Sequence, residues 1–303
     1  MKNKWVFIAF FLLFMTFASF VVASVLSLFG GEGGVGAAHG NVARIPINGV
    51  ILSGESQSYL TEPVAPAKEL IDFIKKADAR PELRAIVLDI SSPGGSAVAS
   101  QMVADAVANA NKTVYAFIRE QGTSGAYWVA SASDKIIAHE LSATGSIGVI
   151  SSYLEFSGLL QDYNVTYQRL VAGKYKDIGT PFRKLTPEEE QILQKKLDVI
   201  HDAFITAVAE NRHLPKEKVT ALATGMFYLG KEAKEMGLVD ELGDEESVTA
   251  LLKKDLQLDD VQYVDYKKQK TFFDILERLA TGFGFWVGRG IATPRTESIT
   301  ITT

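Results

Sequence analysis

The chain has no cysteine, which rules out disulfide staples, thiolate nucleophiles and cysteine-bound metals. Histidine is scarce too. His39, His139, His201 and His213 are scattered without an H-x3-H or H-E-x-x-H spacing, so no metal site is indicated and no cofactor is expected. A basic surplus is also missing: 31 lysines and arginines against 36 acidic residues give a formal net charge of −5, the wrong sign for a chain that binds nucleic acid. What is plentiful is apolar material. At 47% hydrophobic and 22% charged, 303 residues suffice for a large globular domain together with a membrane segment.

Charge is absent from Trp5 to Phe29. At about 1.5 Å per residue this run can cross a hydrocarbon core of roughly 30 Å. It exceeds the apolar region of about 7 to 15 residues usual in a cleaved signal peptide, so an uncleaved transmembrane helix is expected. Lys2 and Lys4 precede it and no basic residue follows until Arg44. That bias places the N-terminus in the cytoplasm and the rest of a single-pass protein on the extracytoplasmic side of the cell membrane. Gly30 to Asn41 (GGEGGVGAAHGN) reads as a flexible tether. The organisation expected is therefore a start and anchor over 1–29, a linker over 30–41, a folded domain over 42–255 and a C-terminal segment over 256–303. Within the last, Thr271 to Ile291 carries apolar residues suited to packing, oligomer contact or a membrane surface, and Pro294 to Thr303 reads as an exposed tail.

Between these ends, strand-like and helix-like stretches alternate. Strands are expected at Val42 to Ile51, Arg84 to Ile90, Thr113 to Ile118, Lys135 to Ala138 and Gly148 to Ser152. Helices are expected at Ala67 to Ala77, Ala97 to Ala110 and Ser124 to Ser133. This rhythm of apolar strands and helices predicts an α/β fold with a parallel sheet. A long helix follows at Pro187 to Asn211, started by Thr186-Pro187-Glu188-Glu189: threonine caps, proline suits the first turn and the acids complement the dipole. Shorter helices are expected at Lys216 to Ala223 and Lys231 to Met236, then a strand-like Leu238-Val239-Asp240.

Three stretches carry chemistry. Gly122-Thr123-Ser124-Gly125-Ala126-Tyr127 puts a serine among small residues at a tight turn that opens a helix. Val87 to Gly95 is a strand running into Ser92-Pro93-Gly94-Gly95, a turn able to aim backbone N–H groups at a substrate oxygen. Gly173-Lys174-Tyr175-Lys176-Asp177-Ile178-Gly179 supplies amines in a short polar loop. A serine hydroxyl needs a base, and none of the four histidines is well placed by the sequence pattern. A lysine can serve if its surroundings lower its pKa from about 10.4 to about 7 or 8, roughly 4 kcal/mol of differential interaction. Asp177 opposes that for Lys176 unless its carboxylate points away, and a Lys-Asp loop taken alone is more often a solvated turn.

In their order, Ser92-Pro93-Gly94-Gly95, Thr123 to Ala130 (TSGAYWVA), Thr144-Gly145-Ser146-Ile147-Gly148-Val149, Gly173-x-Tyr175-Lys176 and Gly237-Leu238-Val239-Asp240 resemble the signal peptide peptidase A family. These are membrane-bound serine proteases, and the likeness is to the short form with one protease domain, over roughly residues 42 to 245. The resemblance implies a Clp/crotonase-like spiral of mostly parallel strands with covering helices. It implies Ser124 as nucleophile, Lys176 as general base with Lys174 the weaker candidate, and Ser146 as the residue that orients the lysine. The Gly125 N–H with that of Gly95 or Gly94 would form the oxyanion hole. It further implies a homo-oligomer with shared active sites, and substrates that are remnant signal peptides or similar extended apolar peptides. The sequence departs from the family at Gly225-Met226-Phe227-Tyr228-Leu229-Gly230, where Gly-Arg-Val-Phe-Thr-Gly is more usual. Two other readings stand beside this one: a crotonase-like acyl-CoA enzyme, and a membrane-tethered scaffold without catalysis. The tail, Pro294 to Thr303, is read as a candidate pseudo-substrate for the site's own groove.

Overall fold

A computed structural model describes residues 40–54 and 63–267, together with positions 11, 13–17, 19 and 20, which are helical. The chain divides into two units, Ala38–Tyr266 and one made of Met1–Ala37 with Lys267–Thr303. Among the described residues no helix is long and apolar enough to cross a membrane. The anchor read over 5–29, most of the tether, the 271–291 segment and the 294–303 tail lie wholly or largely outside the described residues.

In the first unit, β1 (Val42–Asn48), β4 (Ala85–Ser92), β5 (Thr113–Thr123) and β6 (Lys135–Ala138) form the centre of a parallel sheet, extended by β9 (Glu241–Leu242) beyond β6 and β10 (Tyr263–Asp265) beyond β1. β4 is buried along almost its whole length, as a strand covered on both faces must be. The α/β expectation holds, with one antiparallel exception described below. The helices α1 (Ala67–Ala79) and α2 (Ala97–Ala108) fall where the apolar spacing puts them, and α1 buries Leu70, Ile74 and Ala77. On the other face Val248 and Leu252 of α8 (Glu245–Leu256) pack on Val87, Tyr115, Phe117 and Ile137.

Three strand readings are corrected. The first strand breaks at Gly49 and resumes as β2 (Val50–Leu52), paired with β3 (Val64–Pro66) in a separate two-stranded sheet. Gly49 has φ +84, and a Cβ there would stand 1.9 Å from the Pro63 carbonyl oxygen. Residues 148–152 are not a strand; the pairing segment is β7 (Ala143–Gly145). Leu238-Val239-Asp240 is irregular, and the strand after it is β9.

β5 is the hinge of the architecture because it changes partners. Tyr115 to Ile118 pair with β6, whereas Gln121 to Thr123 pair with β7, which runs antiparallel to β8 (Phe227–Leu229). Buried Ser142 bridges the fork by donating to the carbonyl oxygens of Ile118 and Arg119. The forked strand delivers the chain to Ser124 and the helix α3 (Gly125–Ser131). Beneath α3 lies α5 (Pro187–Asn211), whose bounds match the expectation; Phe204 stacks on Trp128 with ring centroids 4.6 Å apart and planes 6° from parallel. Tyr127 Oη, fully buried, donates to the Leu238 carbonyl at 2.8 Å. That bond gives the Gly237 to Asp240 motif its work: it follows α7 (Gly230–Met236), closed by Gly237 at φ 84, and props α3 from behind.

Candidate active site

Ser124 sits between strand and helix at φ 53 and ψ −126, a conformation that L residues avoid and that costs on the order of 1–3 kcal/mol. Neighbouring bonds hold it there. Its N–H donates to the Gly145 carbonyl at 2.8 Å, and its own carbonyl accepts from Trp128 N–H at 3.0 Å, closing the first turn of α3. Its side chain makes no capping bond, so the hydroxyl is not committed to the helix end. A serine on a strained strand-to-helix turn presents its Oγ to whatever occupies the space above, the geometry of a nucleophile elbow.

The glycine turn after β4 closes on this elbow. Buried Ser92 donates through Oγ to Gly49 O at 2.6 Å and accepts from Gly94 N–H at 3.2 Å. Ile51 locks the turn from outside: its N–H donates to Gly94 O at 2.8 Å, and its carbonyl accepts from Ser96 N–H at 2.9 Å. Side chains cannot be accommodated here. A Cβ on Gly94, at φ +96, would lie 2.6 Å from Gly125 N, and one on Gly95 would lie 2.1 Å from Ile51 O. Of the two glycines proposed from sequence, Gly94 has its N–H taken by Ser92. Among the described residues neither Gly95 N–H nor Gly125 N–H has an acceptor, and a Cβ built on Gly125 would be 3.2 Å from Gly95 N. Two unpaired donors therefore stand side by side at the serine.

Ser124, Gly95 and Gly125 open into a cavity of about 680 Å³ whose walls include Trp128, Val149, Ile150, Leu197, Ile200 and Phe204. The wall is mainly apolar, and Ser146 joins it. Ser146 also has positive φ, 51°; its N–H donates to Met226 O at 3.1 Å and its Oγ to Gly225 O at 2.9 Å. With its hydrogen spent on Gly225, the Ser146 oxygen keeps lone pairs to accept from an incoming donor.

His201 lines this cavity as well, which the sequence reading did not foresee. Its Nε2 lies 3.3 Å from the Ile147 carbonyl, an atom that can only accept, so the proton belongs on Nε2. The available signal was helical spacing: Leu197, Ile200, His201 and Phe204 share one face of α5. His139 belongs to a separate cavity of about 610 Å³ beside Arg119, and His213 to the turn after α5. His39 lies outside the described residues.

Lys176 does not line the Ser124 cavity. It is exposed on a turn closed by its own N–H donating to Gly173 O at 3.1 Å, so within one chain its surroundings do not bury the amine. Lys174 is differently engaged. Its ammonium bonds both oxygens of Glu188, at 2.8 and 2.9 Å, and Tyr175 Oη donates to the same carboxylate, which holds the Lys174 pKa well above the ordinary lysine value and disqualifies it as a base. Asp177 is turned away from Lys176 to the Arg169 and Arg183 guanidinium groups. Among the described residues Lys176 has no ion-pair partner.

The surroundings of Lys176 are unusual for a folded chain. From Ile150 to Phe182, apolar side chains point outward: Ile150 is 89% exposed, Leu154 73%, Tyr163 76% and Leu170 97%. The helix here, α4 (Ser157–Asp162), buries nothing.

Residues 106–259 match the model of peptidase family S49. A protein of Enterococcus faecium named as a candidate signal peptide peptidase SppA is 34% identical over 242 residues, covering 78% of this chain and 70% of that one. A candidate protease of Methanocaldococcus jannaschii is 31% identical over 301 residues, 94% of each chain. The chloroplastic serine protease SPPA of Arabidopsis thaliana is 29% identical over 214 residues, 68% of this chain and 32% of that one.

Proposed function

The chain belongs to peptidase family S49 and is a peptidase, and from that premise we propose that it is a membrane-anchored serine endopeptidase working through Ser124 and Lys176. One observation carries the reading: a strained serine beside two unpaired N–H groups at the mouth of an apolar cavity. The Ser124 hydroxyl attacks the scissile carbonyl and passes its proton to the neutral Lys176 amine. The carbonyl oxygen, now carrying the negative charge, accepts from Gly95 and Gly125 N–H. Collapse expels the amine product, which takes the proton back from the lysine, and leaves an acyl group on Ser124. Water, deprotonated by the same amine, then releases the acid. Ser146 accepts from the amine and aims it.

Because a single chain leaves Lys176 outside the cavity, the base is supplied by a second copy, whose exposed 150–182 segment covers the site. The apolar side chains of that segment are what such a contact buries, and burial of the amine against them is what lowers its pKa enough to leave it neutral and free to take a proton. The sheet would then be one turn of a Clp/crotonase-like spiral, for which the fork at β5 is the local support. An extended apolar peptide suits the cavity wall, and remnant signal peptides are the substrate class, supported by the name of the Enterococcus relative. The uncharged run from Trp5 to Phe29, with Lys2 and Lys4 before it, supports an anchor with the catalytic domain outside the cytoplasm.

A second reading has one observation behind it: His201 lines the cavity, so it could act as base within one chain. Fluorophosphonate labelling of the detergent-solubilised protein, mapped by mass spectrometry, separates the two. The expected result is one adduct on Ser124, lost in Lys176→Ala and kept in Lys174→Ala and His201→Ala. Loss in His201→Ala with labelling retained in Lys176→Ala would overturn the Ser-Lys assignment. Mixing inactive Ser124→Ala with inactive Lys176→Ala should restore peptide hydrolysis if the lysine crosses between copies.

A further inference from the structure

We propose that Asp177, Arg169 and Arg183 are positioning residues for the base, which two guanidinium groups serve by claiming the carboxylate next to Lys176 and fastening its loop to the start of α5. The proposal rests on Lys176 being the base. Arg169 donates from Nε and Nη2 to Asp177 Oδ2 and Oδ1 at 2.6 and 2.8 Å. Arg183 donates from Nε and Nη2 to the same two oxygens at 3.1 and 3.2 Å. A carboxylate has about four lone-pair positions, and these four bonds fill them. Nothing is left with which Asp177 could hold the neighbouring ammonium.

The far side of Arg183 forks onto Glu189, with Nη1 and Nη2 at 2.8 and 2.7 Å. Glu189 is buried and also accepts from Thr186 N–H at 2.9 Å, completing the capping box of α5. From Lys176 the chain of contacts thus runs through Asp177, Arg183 and Glu189 into the helix whose other half stacks under the nucleophile helix. The Arg169 and Arg183 pairs hold the Asp177 carboxyl well below the usual carboxylate range.

The charge count explains why this matters for an amine. The groups around Lys176 are Asp177, Arg169, Arg183 and Glu189, then Lys174 with Glu188 and the Tyr175 hydroxyl. Asp177 and Glu189 cancel the two arginines, and Glu188 cancels Lys174. The lysine is left in a neutral setting in which losing its proton is not opposed by a free carboxylate. Removing one arginine charge should favour the ammonium, and removing the Asp177 charge should disfavour it.

The test is the pH profile of kcat/KM for an apolar peptide, using the full-length, detergent-solubilised protein. In Arg169→Gln the acidic limb should move up by about half to one pH unit, and in Asp177→Asn down by a similar amount, the scale expected for one unit charge about 8 Å away at intermediate dielectric. Arg169→Lys, which keeps the charge, should leave the limb in place. Thermal midpoint and oligomer mass are measured alongside; if Arg169→Gln fails to assemble, the direction of the Asp177→Asn limb decides. Lower rates at every pH with an unmoved limb would mean a merely structural network and would overturn the proposal. Lys176→Ala keeps the two ideas apart: retained activity there removes the base and this proposal with it, whereas lost activity with unmoved limbs removes only the network's role.

Discussion

A single methyl group at Gly125 measures how tightly the neighbouring Gly95 and Gly125 N–H donors are built. An ideal Cβ there would lie 2.2 Å from Ser100 Oγ and 3.0 Å from Ser100 Cβ, whereas comfortable contacts need about 3.5 Å or more. Ser100 is fully buried on α2 and cannot swing aside, so α2 or α3 must shift by roughly 1 Å. Overpacking of this kind costs about 1–3 kcal/mol, or roughly 2–12 °C in thermal midpoint for a domain of this size. The same methyl would stand 3.2 Å from Gly95 N, between the two donors. Losing one such donor lowers a rate by about 10²–10³, so Gly125→Ala should slow fluorophosphonate labelling of Ser124 about a hundredfold. The companion change is Ser100→Gly, which removes both clashing atoms at the cost of about 1 kcal/mol for a helical glycine. Ser100 Oγ has no hydrogen-bond partner among the described residues, so its loss sacrifices no bond. The double variant should recover both midpoint and labelling, with a coupling of at least about 1 kcal/mol. Full-rate labelling with an unchanged midpoint in Gly125→Ala, or no rescue by Ser100→Gly, would refute the packing argument.

The strain at Ser124 predicts that Ser124→Gly melts higher than Ser124→Ala, by an equivalent of about 1–2 kcal/mol, since only glycine occupies φ 53 and ψ −126 freely; equal midpoints would mean the turn stores nothing. For the α5 capping box, the Arg183 fork and then the Thr186 N–H hold the Glu189 carboxyl at about 2 instead of 4.5. A depressed carboxyl stabilises fully above its unfolded value and loses that contribution as pH falls through the folded one. The thermal midpoint should therefore drop between about pH 4.5 and 2 more steeply in the wild type than in Glu189→Gln; parallel curves would argue against it.

The parts of the fold legible in the sequence are those whose stability is local or whose apolar pattern faces this chain's own core. α5 was readable to the residue because Thr186, Pro187 and Glu189 specify its start chemically. β4 and β6 were readable from branched apolar runs. The stretch Arg119 to Thr123 was not, because Arg-Glu-Gln-Gly looks like a loop and is a strand through pairing with β7, a partner more than twenty residues ahead, and with Ser92 of β4, thirty residues behind Gly122. Ser124 was legible for the opposite reason: its turn needs small neighbours, and Gly122 and Gly125 are visible in one dimension. The choice of Gly95 over Gly94 was not, since it depends on which N–H Ser92 occupies. His201 was hidden because a polar residue on an apolar face reads as an accident until the cavity beside it is seen.

The segment from 150 to 182 shows where sequence reading and the single chain disagree most usefully. It carries many apolar residues, yet Ile150, Leu154 and Leu170 face solvent, while Phe204, Ile205, Val208 and Ala209 of α5 are buried. α5 spans roughly 37 Å at 1.5 Å per residue. Leu197, Ile200, His201 and Phe204 of this helix line the Ser124 cavity, while Glu188 and Glu189 of its first turn bond Lys174 and Arg183. Lys176, on the turn before that helix, does not line the Ser124 cavity of its own chain. If Lys176 is the base, catalysis therefore has to wait for a second copy, and the isolated chain carries a prepared serine with nothing to deprotonate it. Dilution below the assembly concentration should then abolish Ser124 labelling while leaving the thermal midpoint of the domain core almost unchanged. A monomer that labels at the full rate would place the base in the same chain, with His201 the candidate.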